Sequence, residues 1–139
     1  MTRNVIVVPP SLQAAHAWKI LQRERIRHLP VVLDGKLAGI LSDRDLLRLA
    51  HVQPSGELGF VERTVGDIMT LDPITCSPES SVAEVSRIMV DEKIDSLPVI
   101  ADGRLVGLVT STDLLLLLVD SPEARLPFEY QLADPPLFV

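Results

Sequence analysis

Gly39 to Leu46 reads GILSDRDL, and Gly107 to Leu114 reads GLVTSTDL. Each copy runs from an apolar stretch to a hydroxyl and, three residues later, to an aspartate that opens a second apolar segment. That is the order of a strand passing into a helix. Asp45 and Asp113 stand 68 positions apart, and the same shift lays Leu29-Pro30-Val31 on Leu97-Pro98-Val99, Asp34-Gly35 on Asp102-Gly103 and Gly39 on Gly107. Ile20, Glu24, Ile26, Leu37, Leu46 and Leu47 also fall on identical residues. The chain is an internal duplication. Repeats of roughly 50 to 60 residues bury too little surface to be comfortable alone, so the two are expected to form one domain.

Composition bounds the function. With 139 residues, 47% of them apolar, the chain can close one ordinary core. The apolar run Val5 to Val8 stops at Pro9-Pro10, with Arg3 the only charge before it, so no signal peptide is expected. Leu114 to Val119 is far shorter than the roughly 20 residues that span a membrane. A soluble, cytoplasmic protein follows as the expectation, with no membrane contact. The single cysteine, Cys76, allows no internal disulfide and suits a reducing compartment. A net charge of −6 argues against a nucleic-acid partner, whose phosphates need a basic surface. Residues 1–51 carry +4 and residues 65–119 carry −6, so the halves have opposite sign, which favours their association.

Along the chain, residues 5–8 (VIVV) predict a short buried strand. A helix follows from Ser11, with Ala14, Ala17, Trp18 and Leu21 on one face. Val31 to Leu33, Asp34-Gly35 and Lys36 to Leu41 predict a two-residue hairpin, because Asp-Gly accepts the positive φ angles of a type I′ turn. A second helix is expected from Asp43 to His51. Residues 52–64, with one proline and two glycines, are expected to be a linker. The second half opens with VGDIMT at 65–70, then a strand at Ile74 to Cys76 and a helix announced by the capping-box pair Ser81 and Glu84. The hairpin recurs around Asp102-Gly103. The last helix, Ser111 to about Val119, is apolar all round and must be covered by the other repeat or a second chain. From Asp120 the tail carries Pro122, Pro127, Pro135 and Pro136, and its Phe128, Tyr130, Leu137 and Phe138 could clamp it onto an apolar surface.

Strand, helix, strand, DG hairpin, strand, helix, written twice with LPV before the hairpin and the aspartate motif after it, resembles a tandem pair of cystathionine-beta-synthase (CBS) domains, the Bateman module. The likeness covers residues 5–119, and VGDIMT resembles the family's usual opening segment; the first repeat starts without one. It implies an α/β (α+β) fold of two β-α-β-β-α repeats with pseudo-twofold symmetry: repeat 1 at 1–51, a linker at 52–64, repeat 2 at 65–119 and a tail at 120–139. It also implies two clefts between the repeats that bind adenine nucleotides (AMP, ADP, ATP) or a related adenosyl ligand such as S-adenosylmethionine, with no obligatory cofactor, for regulation rather than catalysis.

The residues make that chemistry readable. A carboxylate such as Asp45 or Asp113 can accept charge-assisted bonds from both ribose hydroxyls. Ser42 and Arg44, or Thr110 and Thr112, sit with their backbone N–H groups at a helix start, the end that attracts anions. Ile6 and Ile74 would wall a base. Equally, Ser-x-x-Asp and Thr-x-x-Asp describe a capped helix that needs no ligand, a cap being worth about 1 kcal/mol; the two roles are compatible. The family often places basic side chains before LPV, where this chain has Arg27-His28 in repeat 1 but Asp95-Ser96 in repeat 2. A phosphate is therefore expected chiefly on the repeat 1 side, near Arg27, His28 and Arg44. His16, His28 and His51 lack metal-ligand spacing, Cys76 lacks an activating base, and no catalytic triad or phosphate loop occurs. Trp18 reads as core.

The expected function is thus a ligand-sensing regulatory module, not an enzyme. It should act as a homodimer through its helices and on a regulated protein partner. The alternative is a ligand-free dimerisation or scaffold module whose aspartates are only caps.

Overall fold

The structure, a computed structural model, describes residues 4–121, 123 and 125. Helix α1 spans Ala14–Glu24 and buries Ala14, Ala17 and Leu21, the stripe expected from their spacing. Strands β1 (His28–Leu33) and β2 (Lys36–Ser42) pair antiparallel from Leu33↔Lys36 back to His28↔Ser42. Asp34 and Gly35 both have positive φ, 51° and 77°, as a type I′ hairpin requires. In repeat 2, β6 (Ser96–Ala101) and β7 (Arg104–Thr110) reproduce this register at the same shift, down to a bulge at Val99/Ile100 opposite the one at Val31/Val32. Helix α4 (Val82–Glu92) is the counterpart of α1, and α5 (Ser111–Val119) follows β7. The Ser81 side chain accepts the Glu84 N–H, which is one half of the expected capping box.

Three expectations fail for lack, or because of, a pairing partner. Residues 5–8 are not a strand: only Val8 is buried, and it alone bridges Val31, with its N–H donating to the Pro30 carbonyl. Residues 74–76 likewise reduce to one parallel bridge, Cys76 to Val99. The second helix, α2, stops at Asp43–Leu47, because Ala50–Val52 becomes a strand, β3, paired with β4 at Leu58–Phe60. Residues 52–60, most of the expected linker, therefore belong to a hairpin. Its Phe60 ring stands 5.6 Å from Trp18, so it extends the repeat 1 core over α1. In repeat 2 the stretch matching β3 meets no such strand among the described residues, and α5 stays helical to Val119.

VGDIMT joins the repeats. Thr64 precedes a one-turn helix, α3 (Val65–Ile68), and its N–H and hydroxyl both donate to the Asp67 carboxylate, holding that group below its ordinary pKa. Val65 is fully buried in the core of repeat 1. Beyond it, β5 (Thr70–Leu71) pairs with β2 at Gly39 and Ile40, adding an edge strand from repeat 2 to the sheet of repeat 1. On the inner side β2 lies against β7. No helix among the described residues is long and apolar enough to cross a membrane. The tail beyond Arg125, with the aromatic clamp expected of it, lies outside the described residues.

Gly39 is the tight point of this joint. A Cβ there would stand 2.6 Å from the Thr70 carbonyl oxygen and 2.7 Å from the Met69 sulfur. Backbone cannot swing aside as a side chain can, so Gly39→Ala should push β5 off β2 and destabilise the fold by about 1–3 kcal/mol. Urea unfolding of the variant checks this; an unchanged midpoint would mean that the crossing is not a constraint.

Candidate functional site

The packing of the repeats leaves two clefts that exchange under the 68-residue shift. The first, about 350 Å³, is lined by Ile40, Ser42, Arg44 and Asp45 of repeat 1 together with Asp72-Pro73-Ile74 and Lys93 to Ser96 of repeat 2. The second, about 300 Å³, is lined by Leu108, Thr110, Thr112 and Asp113 of repeat 2 together with Asn4-Val5-Ile6 and Arg25 to His28 of repeat 1. Each cleft thus joins the aspartate motif of one repeat to the leading segments of the other. Ile6 and Ile74, exposed at 36% and 40%, present apolar side chains to these spaces.

Both aspartates are caps. Asp45 Oδ2 accepts the Ser42 N–H at 2.9 Å while Ser42 Oγ accepts the Asp45 N–H at 3.2 Å. Asp113 and Thr110 make the same reciprocal pair at 2.8 and 3.3 Å. The capping reading of the motif therefore holds in both repeats. It does not exhaust the carboxylates. An ionised carboxylate offers about four lone-pair sites, and the cap occupies one of them. The Oδ1 atoms have no partner among the described residues, and both side chains line a cleft. The cap fixes the carboxylate and leaves its second oxygen uncommitted.

The three basic residues expected near one another, Arg27, His28 and Arg44, all line the first cleft, and Arg27 and His28 border the second as well. Their counterparts by the shift, Asp95 and Ser96, face Arg44 rather than Thr112, because each leading segment crosses to the opposite motif. At the crossing the His28 ring hydrogen-bonds Asp95, with Nε2 2.8 Å from Oδ1, and the unlike charges of Arg27 and Asp95 stand 3.8 Å apart, Nη2 to Oδ2. Residue 27 thus contacts residue 95, its own equivalent, which places the pseudo-twofold axis between them. The opposite sign of the two halves acts at this point.

The sequence reading missed Arg25 and Lys93. They occupy equivalent positions, end α1 and α4 in the left-handed conformation at φ 54° and 55°, and line the second and first clefts. Glycine is the usual residue at such helix ends. A basic residue there in both repeats was the signal available. Cys76 is half-buried, and burial, with the nearby Glu84 carboxylate second, raises its thiol above the ordinary range, the opposite of an activated nucleophile. Among the described residues no group of three or more His, Cys, Asp or Glu is gathered to hold a metal.

Comparison with known proteins identifies the two repeats. The family model described as the CBS domain matches twice, over residues 1–52 and 65–120. Over 112 residues, 80% of its length, the chain is 39% identical to inosine-5′-monophosphate dehydrogenase of Korarchaeum cryptofilum, but it spans only 22% of that protein. Two solved structures are similar. One is the CBS domain pair of protein MJ0100 in complex with 5′-methylthioadenosine and S-adenosyl-L-methionine, at 30% identity and a TM-score of 0.74, covering 87% of this chain and 93% of that one. The other is CBSX2 in complex with AMP, at 28% identity and a TM-score of 0.74, covering 88% and 95%.

The crossing at Asp95 should be measurable on its own. Asp95→Ala removes the acceptor of a buried histidine, an interaction worth about 1 kcal/mol net, and should lower the melting temperature by roughly 3–5 °C. Asp91→Ala, at an exposed position on α4, serves as the control and should change little. Equal effects would show that the crossing contributes nothing.

Proposed function

The chain belongs to the CBS domain family, with two copies of the domain in tandem, and from this we propose that it is a regulatory module binding adenosyl ligands in the clefts between its repeats. One observation carries the reading: each cleft sets a pre-positioned carboxylate at a helix start opposite an exposed isoleucine of the other repeat. That is an acceptor for a ribose and an apolar wall for a base. The adenosyl ligands named in the MJ0100 and CBSX2 structures support the ligand class.

In this reading Asp45 and Asp113 take the ribose hydroxyls on their uncommitted oxygens, Ser42, Thr110 and Thr112 line the approach, and Ile74 and Ile6 pack on the base. A phosphate is held by Arg44 together with Arg27, and bonds to a charged group are the stronger ones, at about 1.5–3 kcal/mol. The module regulates a protein partner and does not turn its ligand over; the likeness to a dehydrogenase is confined to about a fifth of that enzyme. It acts in the cytoplasm as a homodimer, for which the exposed Leu115 to Val119 of α5 supply an apolar contact.

Thermal unfolding with AMP, ADP, ATP and S-adenosylmethionine tests the reading. A ligand at a hundred times its Kd should add about 2.7 kcal/mol of stability. Asp45→Asn and Asp113→Asn retain an oxygen for the cap but lose the charge, so the double variant should lose the shift while keeping its fold. No shift with any of the four ligands would instead favour a ligand-free scaffold. Arg44→Ala and Arg27→Ala should weaken phosphate-bearing ligands about 10- to 100-fold; unchanged affinity would remove both arginines from the site. Sedimentation at micromolar concentration should show a dimer that Leu116→Glu dissociates, and a monomer in the native protein would refute that assembly.

A further inference from the structure

Among the described residues, Arg27 and His28 are the two that line both clefts, so they form the wall between them. They differ in freedom. His28 is 9% exposed and its ring is tied to Asp95 Oδ1 at 2.8 Å, which makes it a fixed part of the wall. Arg27 is held loosely. Its side chain is 55% exposed, and Nη2 stands 3.8 Å from Asp95 Oδ2, beyond hydrogen-bond reach. An exposed ion pair of that kind contributes little, so a phosphate on either side can draw the guanidinium away from Asp95. The equivalents of the two by the 68-residue shift, Asp95 and Ser96, line only the first cleft and supply no second movable cation. The first cleft has Arg44, Arg48 and Lys93 besides Arg27, whereas the described wall of the second adds only Arg25.

We propose that Arg27 couples the two clefts negatively for phosphate-bearing ligands: a nucleotide in one cleft takes the guanidinium, and the other cleft is left a weaker seat for a second phosphate. This rests on the adenosyl reading above and adds how the two sites act on each other. A guanidinium is a flat, rigid fork, and donors aimed at a phosphate in one cleft are turned away from the other. The second cleft then keeps Arg25 as its cation, and the first keeps Arg44, Arg48 and Lys93 but with Asp95 no longer neutralised by Arg27. Coupling between binding sites is reciprocal, so the order of filling does not matter. A ligand without phosphate leaves Arg27 to its neighbour. Double occupancy therefore favours one nucleotide beside one adenosyl ligand that carries no phosphate, and with AMP alone the module fills over two separate concentration ranges.

Calorimetric titration of the full chain with AMP tests the coupling. Asp113→Asn and Asp45→Asn each leave one working cleft and give its affinity with the other empty, while the native protein gives the overall constant for filling both. That overall constant should lie about tenfold below the product of the two single-cleft constants, roughly the worth of one bond to a charged group. With adenosine in place of AMP the two quantities should agree. They should also agree for AMP when the three proteins carry Arg27→Ala, although each cleft then binds more weakly. A native overall constant equal to or above the product would overturn the coupling while leaving both sites in place. Coupling that survives Arg27→Ala would assign it to repulsion between the phosphates and strike Arg27 from the role. Two AMP sites persisting in both Asn variants, or no AMP binding to the native protein, would refute the adenosyl reading itself and this inference with it.

Discussion

The crossing of β5 over β2 at Gly39 fixes how the two repeats meet. With the Thr70 carbonyl where any side chain would need space, the backbone after α3 joins the sheet of repeat 1 before the chain turns into repeat 2. Residues 72–74 then have one route, past the end of β2 and the start of α2, and this route lays Ile74 in view of Asp45. The first cleft is a consequence of the joint rather than a hollow within either repeat. Each repeat keeps a buried cluster of its own, rather than the one core expected from chain length, and the joint adds Val65 to the first cluster while opening the clefts.

Pairing by crossing also explains the electrostatics. Charge read along the chain separates a basic half from an acidic one, and the natural inference groups each half's charges around its own motif. Exchange of the leading segments reverses that grouping. Asp95 faces Arg44, while Arg25 and Arg27 face Thr112 and Asp113. Neither cleft is purely basic or acidic, and where residue 27 meets its equivalent, residue 95, the signs are opposite. Two like charges there would repel, so divergence at this position favours the closed pair.

What the sequence made legible was local or repeated. Asp-Gly hairpins, both Ser/Thr-x-x-Asp caps and the buried face of α1 depend on residues a few positions apart, and all stand in the structure. The duplication and its register were legible because comparison with itself gives the chain a second observation of each site residue. What stayed hidden depended on a remote partner. Asp43 to His51 is helical by pattern, yet β4 claims Ala50 to Val52 as strand. Val5 to Val8 has strand propensity, yet among the described residues only Val8 finds a bridge. That Arg27 and His28 border the second cleft as well as the first was hidden for the same reason, since which leading segment faces which motif is a fact of topology.

The two repeats began as copies, and their remaining differences lie where a copy meets the rest of the chain. The Asp-Gly hairpins, the Ser42 and Thr110 caps and the left-handed ends of α1 and α4 match position for position, because they are satisfied within the repeat. Ala14 and Val82 differ in exposure because Arg63 to Gly66 cover the one, and Leu47 and Leu115 end up in a short helix and a long one because β4 exists beside the first. Symmetry that holds inside each unit and fails at its borders is what a duplication should show once its joints have specialised.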